Sequence, residues 1–217
     1  MTSYVLEHRS SIGPYSHFEA AGPVHVSDRA HHMCPACGQG ISALAWLPPY
    51  RVRLRRGERS REPGDVAFGP SDFIVSRRFV DVWSKHGLSG IDEFRPVSVA
   101  QRPDFYLPSF PTPRARLDYS KMRIAETSPA QCSTCGYGRK WSCLYGLHLD
   151  PTSCGSLDLF GLVNLSGTTL ASARFKSIAE TEGLLNIELV PLVDVWFDNL
   201  GGQDENAIRA RLGMPPV

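Results

Sequence analysis

The sequence predicts an α+β fold of two similar halves, each with a cysteine knuckle and a strand-helix-strand unit. Three observations carry that prediction. Two Cys-x-x-Cys-Gly motifs, CPACG (34–38) and CSTCG (132–136), recur about one hundred residues apart. Further along, SRRFVDVWSKHGL (76–88) aligns without gaps on SARFKSIAETEGL (172–184), and after a one-residue slip EFRPV (93–97) answers ELVPL (188–192). Motifs recurring in one order at nearly one offset favour a duplication over chance repetition of strand-helix-strand grammar. The halves span 1–98 and 99–217 and are expected to pack as one globular unit around a shared four-cysteine zinc site.

The elements follow in chain order. Alternating stretches, VHVS (24–27) and MRIA (122–125), precede the two knuckles. Arg51, Arg53 and Arg55 alternate with Val52 and Leu54, as on a strand with one exposed face. Residues 58–70 are polar and rich in Gly and Pro, which predicts a loop. FIV (73–75) and TTLA (168–171) read as strands leading into helices. Ser76 and Ser172 suit the N-cap, and Gly87 and Gly183 suit the left-handed position that ends a helix. Phe79, Val82 and Trp83, like Phe175, Ile178 and Ala179, have the i, i+3, i+4 spacing of a helix laid on a sheet. Strands are expected again over 94–99 and 187–193. PDFYLPSFPTP (103–113), with four prolines, predicts an extended linker that exposes Phe105 and Tyr106. DVWFDNLGG (194–202) reads as a strand and a turn, and 204–212 as a short helix stopped by Pro215 and Pro216.

With 217 residues, 42% of them hydrophobic, the chain can build a core without disulfides. A net charge of +1 gives no electrostatic reason to invoke nucleic acid or an anionic membrane. The first residues lack a basic stretch followed by an apolar run, and no segment is long enough to span a bilayer, so a cytoplasmic location is expected. In a reducing compartment, paired cysteines point to metal or redox chemistry.

Two thiolates on a tight turn converge on one ion at about 2.3 Å, and Gly38 and Gly136 fit that turn. Four thiolates, from Cys34, Cys37, Cys132 and Cys135, suit one closed tetrahedral zinc site with no open position for substrate. Redox or iron–sulfur use remains open, as does a local site in which Cys143, His148 and Cys154 join the second knuckle. Cys143 and Cys154 have no counterpart in the first half, which favours their reading as small buried hydrophobes. Asp194 and Asp198 are weaker metal-binding or catalytic candidates. No phosphate loop, nucleophile elbow or HExxH helix occurs.

The two CxxCG motifs, the Ser-x-Arg-Phe helices and the E-x-x-P strands resemble the double-CXXCG motif family, whose members look like bacterial immunity proteins of the swarming-inhibition type. The likeness extends over almost the whole chain. It implies a non-enzymatic cytoplasmic protein that binds and neutralises a cognate polymorphic toxin delivered by neighbouring kin cells, with Cys34, Cys37, Cys132 and Cys135 carried over as the signature. The face formed by Arg51, Arg53 and Arg55, with Phe105 and Tyr106, is the expected partner surface. The alternatives are a zinc-ribbon-like nucleic-acid-binding or regulatory protein using the stripe 51–61, and a thiol oxidoreductase.

Overall fold

The computed structural model describes residues 3–7, 15, 17–26, 33–38, 46–55, 62–70, 73–99, 102–111, 115–128, 132–134, 140–163, 165, 167–198 and 204–217. Over these it is strand-rich with three α-helices, an α+β architecture.

Two hairpin–helix units dominate. In the first, β6 (Val66–Phe68) and β7 (Phe73–Ser76) form an antiparallel hairpin that runs into α1 (Arg77–Lys85), and β8 (Glu93–Val99) returns. In the second, β12 (Leu159–Gly161) and β13 (Thr169–Ser172) lead into α2 (Ala173–Thr181), and β14 (Glu188–Pro191) returns. Both helices begin where the sequence predicts: the hydroxyls of Ser76 and Ser172 accept from the backbone N–H of Phe79 and Phe175. Each ends beside a glycine at positive φ, Gly87 (55°) and Gly183 (61°). Each unit also takes a strand from elsewhere, antiparallel to its neighbours. β9 (Arg102–Ser109) lies between β7 and β8, and β1 (Ser3–Glu7) lies between β13 and β14. Sheet membership thus crosses the division at residue 98.

Beyond β8 the first sheet continues through β5 (Arg51–Leu54), parallel, and β2 (Phe18–Ala20), antiparallel. The order is β2-β5-β8-β9-β7-β6, against β12-β13-β1-β14 in the second. Two smaller sheets are β3 (His25–Val26) with β4 (Trp46–Leu47), and β10 (Arg123–Ser128), β11 (Lys140–Tyr145) and β15 (Trp196–Asp198). At the C-terminal end α3 (Glu205–Arg211), capped by Asp204, lies on β11 with the Arg209 guanidinium 5.1 Å from the Tyr145 ring centre.

Two predicted loops contain strands. The expected linker is β9, with Tyr106 and Leu107 buried on opposite faces. A strand covered on both sides shows a continuous apolar run rather than an alternation, and its prolines suggested a linker instead. Pro96 and Pro108 sit at register positions two apart, opposite Tyr106 and Phe94. These are pairs of one class, which fits positions where a missing N–H removes no ladder bond. Within the second predicted loop, β6 buries Val66 and Ala67.

The units meet helix to helix. Phe79 and Phe175 have ring centres 6.1 Å apart, and Trp83 lies 6.4 Å from Phe175, in one core with Val66, Val75, Tyr106, Leu159 and Ala171. Two buried carboxylates fasten this junction. Asp65, 4% exposed, accepts from Ser76 Oγ (2.6 Å), Arg78 Nη1 (2.8 Å) and, across the junction, the N–H of Leu185 (2.7 Å). Asp158, 2% exposed, accepts from Ser172 Oγ (3.0 Å), Arg174 Nη1 (2.7 Å) and, in the reverse direction, the N–H of Ser89 (2.9 Å). The other guanidinium nitrogens reach the loop carbonyls: Arg78 those of Glu182 and Gly183, Arg174 that of His86. Each aspartate therefore ties its own helix cap to the loop that follows the other helix. A buried carboxylate is tolerated when charged and backbone donors surround it in this way. Gly90 is needed here, since at φ 113° a Cβ would stand 1.8 Å from the Leu159 carbonyl oxygen.

Candidate metal centre

Each knuckle lies between two paired antiparallel strands. The first falls between β3 and β4, where His25 faces Leu47 and Val26 faces Trp46. The second falls between β10 and β11, whose pairing is interrupted by irregularities at Ala125, Glu126 and Ser128. Both knuckles therefore fall in connections between paired strands, and a two-residue gap lets the sulfurs of a knuckle converge on one ion.

At the first knuckle the chain turns over residues 35–37, and the N–H of Gly38 returns to the Cys34 carbonyl at 2.8 Å. Gly38 has φ 68°, so a side chain there would strain this turn. Cys34 is buried at 2% exposure, Cys132 is half-buried and Cys37 is exposed. Their sulfurs gather. Cys34 Sγ lies 3.9 Å from Cys132 Sγ, and those of Cys34, Cys37 and Cys132 all fall within 4.8 Å of one another. Four sulfurs at about 2.3 Å from a tetrahedral ion stand about 3.8 Å apart. A disulfide would require about 2.05 Å, and none joins these three cysteines.

The donor set fits a soft-ligand metal, with zinc suited to a closed, all-thiolate environment. Zinc there would supply cross-linking alone. The predicted fourth ligand, Cys135, lies outside the described residues. The three grouped cysteines come from both knuckles, 98 positions apart for Cys34 and Cys132.

The local alternative gains no support among the described residues, where Cys143, His148 and Cys154 do not join the sulfur group. Cys143 is wholly buried in β11 between Ala125 and Asp198. The thiol of Cys154 donates to the Asp150 carbonyl at 3.3 Å, and burial pushes its pKa up, away from thiolate chemistry. Asp194 is exposed at the end of a 3-10 turn, and the side chain of Asp198 lies outside the described residues.

The basic strand is as predicted in its alternation: Arg51 and Arg53 are exposed, Val52 is buried and Leu54 half-buried. Arg55 is also exposed. The stripe is partly neutralised, because Arg53 Nε donates to Glu19 at 2.7 Å from the paired position on β2. Glu19 was not legible as its partner, since strand pairing at that separation leaves no local signal. The aromatics differ from expectation. Tyr106 is buried with the Arg77 guanidinium 4.6 Å from its ring centre, and half-buried Phe105 packs edge-on against Phe18 at 5.1 Å. Tyr106 is therefore a core residue. Residues 56–61 lie outside the described residues.

No family model matches the chain. No helix among the described residues is long and apolar enough to cross a membrane.

Proposed function

We propose that this chain is a zinc-stapled immunity protein: Cys34, Cys37, Cys132 and Cys135 hold one structural ion that joins two duplicated halves, and the resulting rigid surface binds and neutralises a cognate toxin in the cytoplasm. The observation that supports the staple is the 3.9 Å approach of Cys34 to Cys132, sulfurs contributed by ribbons 98 positions apart. The matched aspartate contacts at the helix junction support the duplication. The toxin reading rests on the resemblance of CPACG and CSTCG, with their helices and strands, to the double-CXXCG immunity proteins.

The physics is compatible with inhibition by binding. A preorganised surface loses little entropy on association, and a metal cross-link supplies rigidity without catalytic groups. Arg51, Arg53 and Arg55 offer an exposed basic face to an acidic patch on the toxin, with Arg53 moderated by Glu19. The test is co-expression with the toxin encoded beside it. The chain should rescue growth and co-purify with the toxin domain, and reversing charge at Arg51 and Arg55 should weaken the complex while zinc content stays the same. Absence of both rescue and complex would overturn the immunity reading and leave the metal reading standing.

A further inference from the structure

The two helices carry different side chains at one aligned position. In the gapless match, Trp83 of α1 answers Ala179 of α2, and after the slip Phe94 of β8 answers Leu189 of β14. In the first unit the Trp83 ring stacks on Phe79 at 6.0 Å and meets Phe94 edge-on at 5.9 Å. In the second, the smaller pair leaves a groove of about 280 Å³ between α2 and β14, lined by Lys176, Ala179, Glu180, Leu184, Ile187 and Leu189. That volume is below the usual range for a drug-sized ligand and suits a single ring system.

We propose that this groove receives a tryptophan side chain presented on an extended segment of a partner protein. The first unit supplies the template, since an indole already fills the corresponding place between helix and return strand. The rim complements the ring: Glu180, its carboxylate held by Lys176 and 62% exposed, offers an acceptor for the indole N–H. Lys176, whose ammonium lies 5.6 Å from the Tyr4 ring centre, is placed to meet a second π-face. The strand beside the groove argues for a peptide rather than a free aromatic molecule. β14 is the outer strand of its sheet among the described residues, so an incoming strand can pair with its edge while its side chain enters the groove. The proposal stands apart from both the metal cluster and the immunity reading.

The test titrates the full chain with two probes, N-acetyl-tryptophanamide and a blocked pentapeptide carrying one tryptophan between threonines. Both should bind saturably, the peptide about tenfold more tightly or better because it adds strand pairing. Ala179→Trp, which supplies the ring internally, should weaken both by about tenfold or more while the protein stays folded. Should that variant fail to fold, Leu189→Phe narrows the groove with the residue type β8 already uses and should weaken both about threefold. No saturable binding, equal affinity for the two probes, or unchanged affinity in a folded variant would overturn the proposal.

Discussion

The unit around α1 and the unit around α2 agree in their polar contacts and differ in their apolar filling. Both cap the helix with serine, bury an aspartate against that serine and an arginine, and take a backbone N–H from the opposite loop. At the adjoining apolar position one has Trp83 and the other Ala179. Hydrogen bonds to a buried carboxylate depend on donor direction and tolerate little change. Apolar packing accepts substitutions that keep a site filled, or that leave room for something else to fill it. The junction therefore has the same polar frame in both units, while the apolar filling beside α2 differs from that beside α1.

That contrast can be broken from the apolar side first. Trp83→Ala should cost about 3–5 kcal/mol in chemical denaturation, because it removes a buried ring that touches Phe79, Phe94 and Phe175. A cost below about 1 kcal/mol would mean that the first unit tolerates the same opening as the second.

The polar side should respond symmetrically. Asp65→Ala removes the acceptor of a serine hydroxyl, an arginine and a backbone N–H, Asp158→Ala removes these and the contact from the Ser89 hydroxyl as well, and each should cost about 3 kcal/mol. Hydrogen exchange should then rise in the loop after the other helix, near Leu185 for the first and Ser89 for the second. Exchange confined to the mutated unit would contradict a reciprocal junction. Ser76→Ala and Ser172→Ala, which remove a helix cap as well as one aspartate contact, should each cost about 1–2 kcal/mol, with the two values close.

The smallest effect concerns one pair at the helix ends. His86 and Glu182 stand at aligned positions and meet each other at 2.6 Å, with Lys85 at 2.7 Å from the same carboxylate. Lys85, and after it His86, hold the Glu182 carboxyl below the usual glutamate range. A depressed carboxylate contributes stability that is present above its unfolded pKa and is lost as pH falls through the lower folded value. Glu182→Gln should therefore flatten the acid side of the stability–pH curve slightly and leave the neutral region's slope unchanged. The stability lost in this variant should be fully present at neutral pH and shrink towards zero in acid, and a loss that grows as pH falls would contradict the assignment.

Local signals carried much of this fold. Ser76, Ser172, Gly87 and Gly183 mark helix ends by their own conformational preferences, and the Arg51–Arg53 alternation marks a half-exposed strand. The convergence of Cys34 with Cys132 followed from the two knuckles recurring in an aligned repeat. Non-local features left no comparable trace. β1 pairs with β13 and β14 across most of the chain, and β9 lies buried on both faces with prolines that resemble a linker. Asp65 and Asp158 are also hidden from the gapless match: they stand 11 and 14 positions before their serines, so the alignment that reveals the helices separates the aspartates.

The metal content of the purified full chain, determined by elemental mass spectrometry alongside Cys34→Ser and Cys132→Ser, decides whether one ion joins the two knuckles. One closed site built from both knuckles predicts about one zinc per chain, and loss of that zinc to a similar degree in either variant, because removing a ligand from either ribbon opens the same tetrahedron. Two ions per chain, iron in place of zinc, no metal, or full zinc retained by one variant and lost by the other would contradict a single ion shared between Cys34 and Cys132.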